Sequence, residues 1–159
     1  MNNDQNAQNG NSQQENTIEI QITAQYVKDL SFENPKAPEI FNTKEHPTVD
    51  VRLDVTSMAL ENGIHEVTLS TTVSGKSSEN PLFVAELSYC GLFTILGVPD
   101  QHLRAILLIE CPRLLFPFVR NIISDFIRDG CYPPFMMQPV DFAQLYQQSL
   151  KSQTSNLSN

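Results

Sequence analysis

Basic side chains are scarce in this chain. Ten Lys and Arg against eighteen Asp and Glu give its 159 residues a formal charge of -8 and a pI near 4.7. Such a surface repels phosphate backbones, which argues against nucleic-acid binding and suits a basic partner. Cysteine is scarce too. Cys90, Cys111 and Cys131 lie in or beside apolar runs, cannot all pair internally and form no Cys-x-x-Cys motif. His102 has no ligand-like spacing to them, so an intracellular, reduced protein without a metal site is expected. Long apolar runs are missing. The longest unbroken one near the helices, Ala105 to Ile109, falls far short of the ~20 residues that span a bilayer. Residues 1–16 have neither an apolar block nor a basic flank and do not read as a signal peptide. Catalytic signatures are absent as well. No GxSxG, Walker or dinucleotide fingerprint occurs, His46 and His65 are isolated, and Ser124 and Asp125 point apart on a helix. No enzyme is expected.

What is present is periodicity. After the Asn/Gln-rich segment 1–16, expected to be disordered, Ile18, Ile20, Ile22, Ala24, Tyr26, Leu30 and Phe32 alternate with polar and acidic residues, Lys28 being the exception. That pattern predicts a long strand with one dry face and one acidic face. Pro35 and Pro38 end it. Val49, Val51, Leu53 and Val55 mark a second strand, Asn62-Gly63 a tight turn, and Val67, Leu69, Thr71 and Val73 a third. The fourth, from Leu82 to about Ile95, carries apolar groups on both faces, with Gly91 expected to mark a bulge. Helical spacing then begins, with Asp100 as the expected cap and Pro117 expected to kink the second helix or sit near its first turn. Gly130 is expected to end that helix, and a short amphipathic helix should span about Asp141 to Leu150. The reading is one domain over 17–150 between a polar head, 1–16, and a flexible tail, 151–159. An antiparallel sheet with one solvated acidic face, backed by helices, is the expected product.

Residues 17–99 hold eleven acidic and five basic side chains, whereas 100–151 hold five of each. The negative field therefore belongs to the sheet. Its acidic face is either simply solvated or a docking plate built from Asp29, Glu33 and Glu86, and spacing alone leaves both open. The helical stretch Cys111-Pro112-Arg113-Leu114-Leu115-Phe116-Pro117-Phe118 is more apolar than so small a chain readily buries. Such a surplus points to partner subunits, to apolar clients, or to both. Filling the core is the ordinary role for Phe116, Phe118 and Phe126, but Phe32, Ile40, Phe41, Tyr132, Phe135, Met136 and Met137 flank loops that cannot all reach one interior, which leaves a groove for extended polypeptide as the alternative.

Four ordered motifs carry a family resemblance: Tyr26-Val27-Lys28-Asp29-Leu30-Ser31-Phe32-Glu33-Asn34-Pro35, Gly91-Leu92-Phe93-Thr94-Ile95, Cys111 to Arg120, and Pro139-Val140-Asp141-Phe142. Over about Ile18 to Leu150 the chain resembles the SecB family of bacterial protein-export chaperones. The resemblance implies an α+β fold, a four-stranded antiparallel sheet with helices packed on one face, assembled as a homotetrameric dimer of dimers. It implies a cytoplasmic chaperone that uses no ATP or other cofactor, holds unfolded secretory precursors, and delivers them to the SecA translocase ATPase. By motif it assigns SecA contacts to Asp29, Glu33, Val84 and Glu86 and client contacts to Phe41, Leu115, Phe118 and Ile122. Ala85, Leu87 and Tyr89 fall near the subunit association region. Family members commonly have Gly-Gly where this chain has Cys90-Gly91, and a loop tryptophan where it has none. A non-chaperone oligomeric adaptor, its apolar surplus wholly used between subunits, is the rival reading.

Overall fold

The computed structural model describes residues 17–42, 46–78 and 80–156. Strands β1 (Glu19–Glu33), β2 (Thr48–Ala59), β3 (Ile64–Ser77) and β4 (Asn80–Leu96) form one sheet in the order β1-β4-β3-β2, every neighbouring pair antiparallel. Helices pack on one face, as expected. Asn62 and Gly63 both take left-handed φ (59° and 71°), which is the turn chemistry their sequence announced. Because β1 pairs with β4, the segment after β1 must cross the end of the sheet to start β2 at the opposite edge. Ile40 of that crossover packs against the core, while Phe41 beside it is exposed. Lys44 and Glu45 of this loop, and the polar head 1–16, lie outside the described residues.

Past a register slip that leaves Leu82 without a partner on β3, alternation along β4 is regular from Phe83 onward. Phe83, Ala85, Leu87, Tyr89, Gly91 and Phe93 face the helices, and Val84, Glu86, Ser88, Cys90 and Leu92 face away. The bulge expected at Gly91 is not there. A Cβ on Gly91 would stand 2.6 Å from Phe93 Cε2 and 2.9 Å from Leu115 Cδ2. The glycine is there to let a helix approach the sheet.

The irregularities of the β1–β4 ladder lie on β1 instead. Its register against β4 slips between Ile22 and Ala24 and again between Val27 and Asp29, leaving Thr23 and Lys28 without partners. Each bulge inverts the alternation. Between them Ala24 and Tyr26 turn away from the helices, while Gln25 and Val27 turn toward them. Tyr26, expected on the dry face, therefore belongs to the wet one. The second bulge restores the phase, so that Leu30 and Phe32 face inward again.

Helix α1 (Asp100–Ala105) runs through a π-helical stretch, Ile106–Glu110, into α2 (Cys111–Asp129). The π turn immediately precedes Pro112, whose ring and missing N–H disfavour an ordinary α-turn at that point. Asp100 is not the cap: Pro99 holds that position without a side-chain bond, and Asp100 is the first helical residue, favourably placed at the dipole's positive end. Pro117 lies inside α2 rather than in its first turn. The C-terminus of α2 closes with Tyr132 N–H donating to Ile127 O (3.2 Å) and Cys131 N–H to Arg128 O (2.9 Å). That is a Schellman motif in which Cys131, at φ 65°, takes the left-handed position usually given to glycine. Gly130 itself has φ -73°; a Cβ there would lie 2.5 Å from Phe32 Cζ.

Helix α3 (Phe142–Asn156) is capped by Asp141, whose Oδ1 accepts from Gln144 N–H at 3.0 Å. It continues past Leu150 into the segment expected as tail. The core joins Val67, Leu69, Val73, Phe83, Leu87 and Phe93 of the sheet to Leu107, Leu115, Val119, Ile123, Ile127 and Phe142 of the helical layer. Thr71 also points into this layer, and its buried hydroxyl has no hydrogen-bond partner among the described residues. At the sheet's end, the Tyr132 hydroxyl lies 2.7 Å from Asn34 Oδ1 and 3.0 Å from Leu82 O, tying the end of β1 to the turn after α2.

Candidate functional site

On the face away from the helices, the β1–β4 register sets Glu33 opposite Val84, Ser31 opposite Glu86, and Asp29 opposite Ser88. Asp29, Glu33, Val84 and Glu86 thus form one patch on two adjacent strands, with no two carboxylates directly opposed. Asp29 and Glu86 line a shallow depression floored by hydroxyl-bearing residues of β3 and β4, and Ser31 Oγ donates to Glu86 Oε2 at 3.4 Å. Asp50 and Asp54 of β2 continue the acidic face, with Arg52 between them 3.8 Å from Asp50. Opposed backbones and period two assemble the patch; no single stretch of chain contains it.

Beside it lies a group that the sequence reading missed. Lys28 Nζ sits 2.7 Å from Glu66 Oε1, and the Tyr26 hydroxyl donates to Glu66 Oε2. Glu66 belongs to β3, so both β1 side chains reach across β4 over Cys90, which is fully buried beneath them. The Lys28 ammonium, then the Tyr26 hydroxyl, hold the Glu66 carboxyl below its usual range. Sharing its proton with Glu66 pushes Tyr26 up to about 12. Thr68 Oγ1 lies 3.2 Å from Cys90 Sγ. Burial raises both the Cys90 and Cys111 thiols, Cys111 to about 12, which makes them inert packing residues. One signal of this group stood in the sequence: Lys28 breaks an otherwise apolar row.

The helix side carries most of the apolar surplus, although Met58 and Leu96 are exposed on the bare face. Phe118 is 48% exposed and stacks on Tyr89 with ring centroids 6.1 Å apart; Phe41 is 51% exposed. Ile122 is half-buried, whereas Leu115 is fully enclosed by the core, so the four client candidates do not form one surface. Among the interface candidates, Ala85 and Leu87 are enclosed by the chain's own helices and Tyr89 stands at the margin. The apolar side chains that remain open beside them are Ile22 and Val27 on β1 and Leu114 and Phe118 on α2.

A cleft of about 520 Å³ runs between β2 and the helical layer, lined by Val55, Leu103, Leu107 and Leu108 with Asp54 and Arg104. A smaller pocket of about 170 Å³ adjoins it, where Val55 and Leu108 meet Leu145 and Tyr146 of α3. Among the described residues β2 pairs with β3 alone, so its other edge presents backbone donors and acceptors beside this cleft, whose lining also includes Thr56, Ser57, Asp100 and Ser149. Pattern reasoning could not place this cleft because its walls come from three elements far apart in sequence. Among the described residues no His, Cys, Asp and Glu group could hold a metal ion, and no helix is long and apolar enough to cross a membrane.

The fold is a one-sided α+β sheet with a carboxylate patch on its bare face and open apolar side chains on the helix side. Residues 12–153 match the family model described as preprotein translocase subunit SecB. The protein-export protein SecB of Zymomonas mobilis is 43% identical over 143 residues, covering 90% of this chain and 87% of the relative. That of Azorhizobium caulinodans is 42% identical over 151 residues, covering 94% of each. Among solved structures, a SecB-like chaperone of Mycobacterium tuberculosis, in complex with a ChAD peptide from the HigA1 antitoxin, superposes with a TM-score of 0.64 at 16% identity. The match covers 76% of this chain and 90% of that one, a likeness of fold. The chain belongs to the SecB family. Its general role is that of an export chaperone, not an enzyme.

Proposed function

We propose that this protein holds unfolded secretory precursors in the bacterial cytoplasm without ATP or any other cofactor and passes them to the SecA ATPase. The observation that carries the reading is the division of labour between the two faces. Asp29, Glu33, Val84 and Glu86 share one open patch on the bare side of the sheet, while Ile22, Val27, Leu114 and Phe118 stay exposed on the helix side and the β2 edge borders the cleft there. A basic SecA surface would meet the first while a client occupies the second.

Client binding would use Phe118, Phe41 and the exposed part of Ile122, with Leu115 supporting them from the core. Apolar burial at roughly 25 cal/mol per Å² gives moderate affinity at each contact. Backbone bonds along β2 would hold extended chains whatever their sequence. Assembly as a dimer of dimers would cover part of Ile22, Val27 and Leu114, backed by Ala85, Leu87 and Tyr89. Several client contacts around one tetramer would then raise avidity without a single tight site.

Glu86→Lys should weaken SecA binding while leaving oligomer mass and client capture intact; calorimetry showing unchanged SecA affinity would refute the docking assignment. Light scattering of the free protein, then of the same sample with a denatured precursor, tests the holding role. A tetramer that captures no denatured protein would favour the adaptor reading.

A further inference from the structure

The docking patch depends on how β1 is threaded past β4, and the strand has a competing way to pair. Thirteen β4 positions, Val84 to Leu96, face the fifteen residues of β1, and the two bulges take up the difference. Suppose both bulges were ironed out with Ile22 kept opposite Phe93. Asp29 would then stand directly opposite Glu86, Lys28 would point at Leu87 on the helix face, and Phe32 would slide from Ala85 to Phe83. Two bulges cancel in phase, so the inward row of Leu30 and Phe32 would survive this slip. Hydrophobic patterning alone therefore does not exclude the slipped register. What distinguishes the two pairings is the polar side chains that each one leaves outside.

We propose that Tyr26, Lys28 and Glu66 act as a register clamp, positioning residues that hold β1 in its doubly bulged pairing and so set Asp29, Glu33 and Glu86 apart on the docking face. The clamp spans two ladders, from β1 over β4 to β3, so it ties an edge strand to the interior of the sheet. It uses Lys28, the bulged residue itself, and Tyr26, which faces outward only because the bulge at Thr23 inverted it. The slipped pairing would strip Glu66 of both partners, push an ammonium into the apolar layer and set two carboxylates side by side. Cys90 is the small residue that lets the bridge pass over β4: it is fully buried beneath Tyr26 and Lys28 and pairs with Tyr26 by register.

This inference rests on the docking reading for its consequence and on the strand register for its substance, and the two are separable. Lys28→Glu adds negative charge to a face meant for a basic partner, so charge alone would tighten SecA binding; loss of position would weaken it. In the full-length protein, Lys28→Glu is expected to lose the backbone nuclear Overhauser contacts between Asp29 and Ser88 and to weaken SecA binding by about ten-fold. Oligomer mass and client capture should be unchanged. The swap Lys28→Glu with Glu66→Lys, which reverses the ion pair and leaves the Tyr26 hydroxyl free to accept, should restore both readouts. If Lys28→Glu does not fold, Lys28→Met, which keeps the stem and drops the charge, carries the same test. Retention of the Asp29–Ser88 contacts in the single variant, or failure of the swap to restore them, overturns the clamp. Contacts that respond as expected in a protein whose wild type binds no SecA would uphold the clamp and sink the docking reading.

Discussion

Gly91→Ala is the sharpest test of how this fold is packed. The substitution adds one methyl group, 2.6 Å from Phe93 Cε2 and 2.9 Å from Leu115 Cδ2. Both neighbours are fully buried, so neither can swing into solvent. Relief therefore requires α2 to lift from the sheet or Phe93 to leave its rotamer, and overpacking of this kind costs about 1–3 kcal/mol. For a domain of this size each kcal/mol lowers the melting point by roughly 2–4 °C. Lifting α2 would also disturb the Tyr89–Phe118 stack, so client capture should weaken alongside stability. Differential scanning calorimetry on wild type, Gly91→Ala, Phe93→Leu and the double variant gives the coupling. Shortening the ring should return much of the loss, a non-additive result expected only of touching groups. Gly63→Ala is the contrast: its φ of 71° imposes a backbone penalty but nothing lies within 4 Å of the new methyl, so Phe93→Leu should not rescue it. A Gly91→Ala melting point equal to the wild type's, or a loss that Phe93→Leu leaves untouched, would refute the close-approach argument.

Thr71→Val should stabilise the protein by about 1 kcal/mol, because it replaces a buried hydroxyl without a partner by a methyl of the same shape; urea melts showing destabilisation would mean that the hydroxyl is satisfied. Cys131→Gly should gain about 1 kcal/mol by relieving a left-handed backbone at the end of α2, read by the same melts. The Glu66 carboxyl is held below its usual range, so its contribution is present at neutral pH and is lost as pH falls through that depressed value. Tyr26, raised to about 12, works in the opposite sense: its contribution is full below pH 10 and fades as pH rises through about 12. Glu66→Gln should therefore flatten the stability profile on the acid side, and acid titration followed by circular dichroism with an unchanged profile would contradict the ion-pair geometry.

Much of the architecture was legible in the chain because its cues are local. Asn62-Gly63 turned as predicted, and the alternating rows of β2 and β3 lie where period two placed them. The misreadings share one cause. Gly91 reads as a bulge marker, yet it is small because Leu115, distant in sequence, presses on it; Gly130 does end α2 as expected, and Phe32 presses on it as well. Period two places Tyr26 on the dry side because a bulge leaves no mark in composition. Leu115 and Phe118 look alike as apolar helical residues, and only packing separates the enclosed one from the half-open one.

Sequence alone determined the strand count, the acidic sheet, the helical layer and the surplus of apolar side chains, because periodicity and charge are properties of neighbours along the chain. Tertiary structure decided which carboxylates share a patch, which apolar groups stay open, where the cleft runs, and that Lys28 and Tyr26 meet Glu66. Those outcomes depend on the register of β1 against β4 and on the close approach of α2 to the sheet. Both are set by contacts between residues tens of positions apart, which no reading of adjacent residues contains.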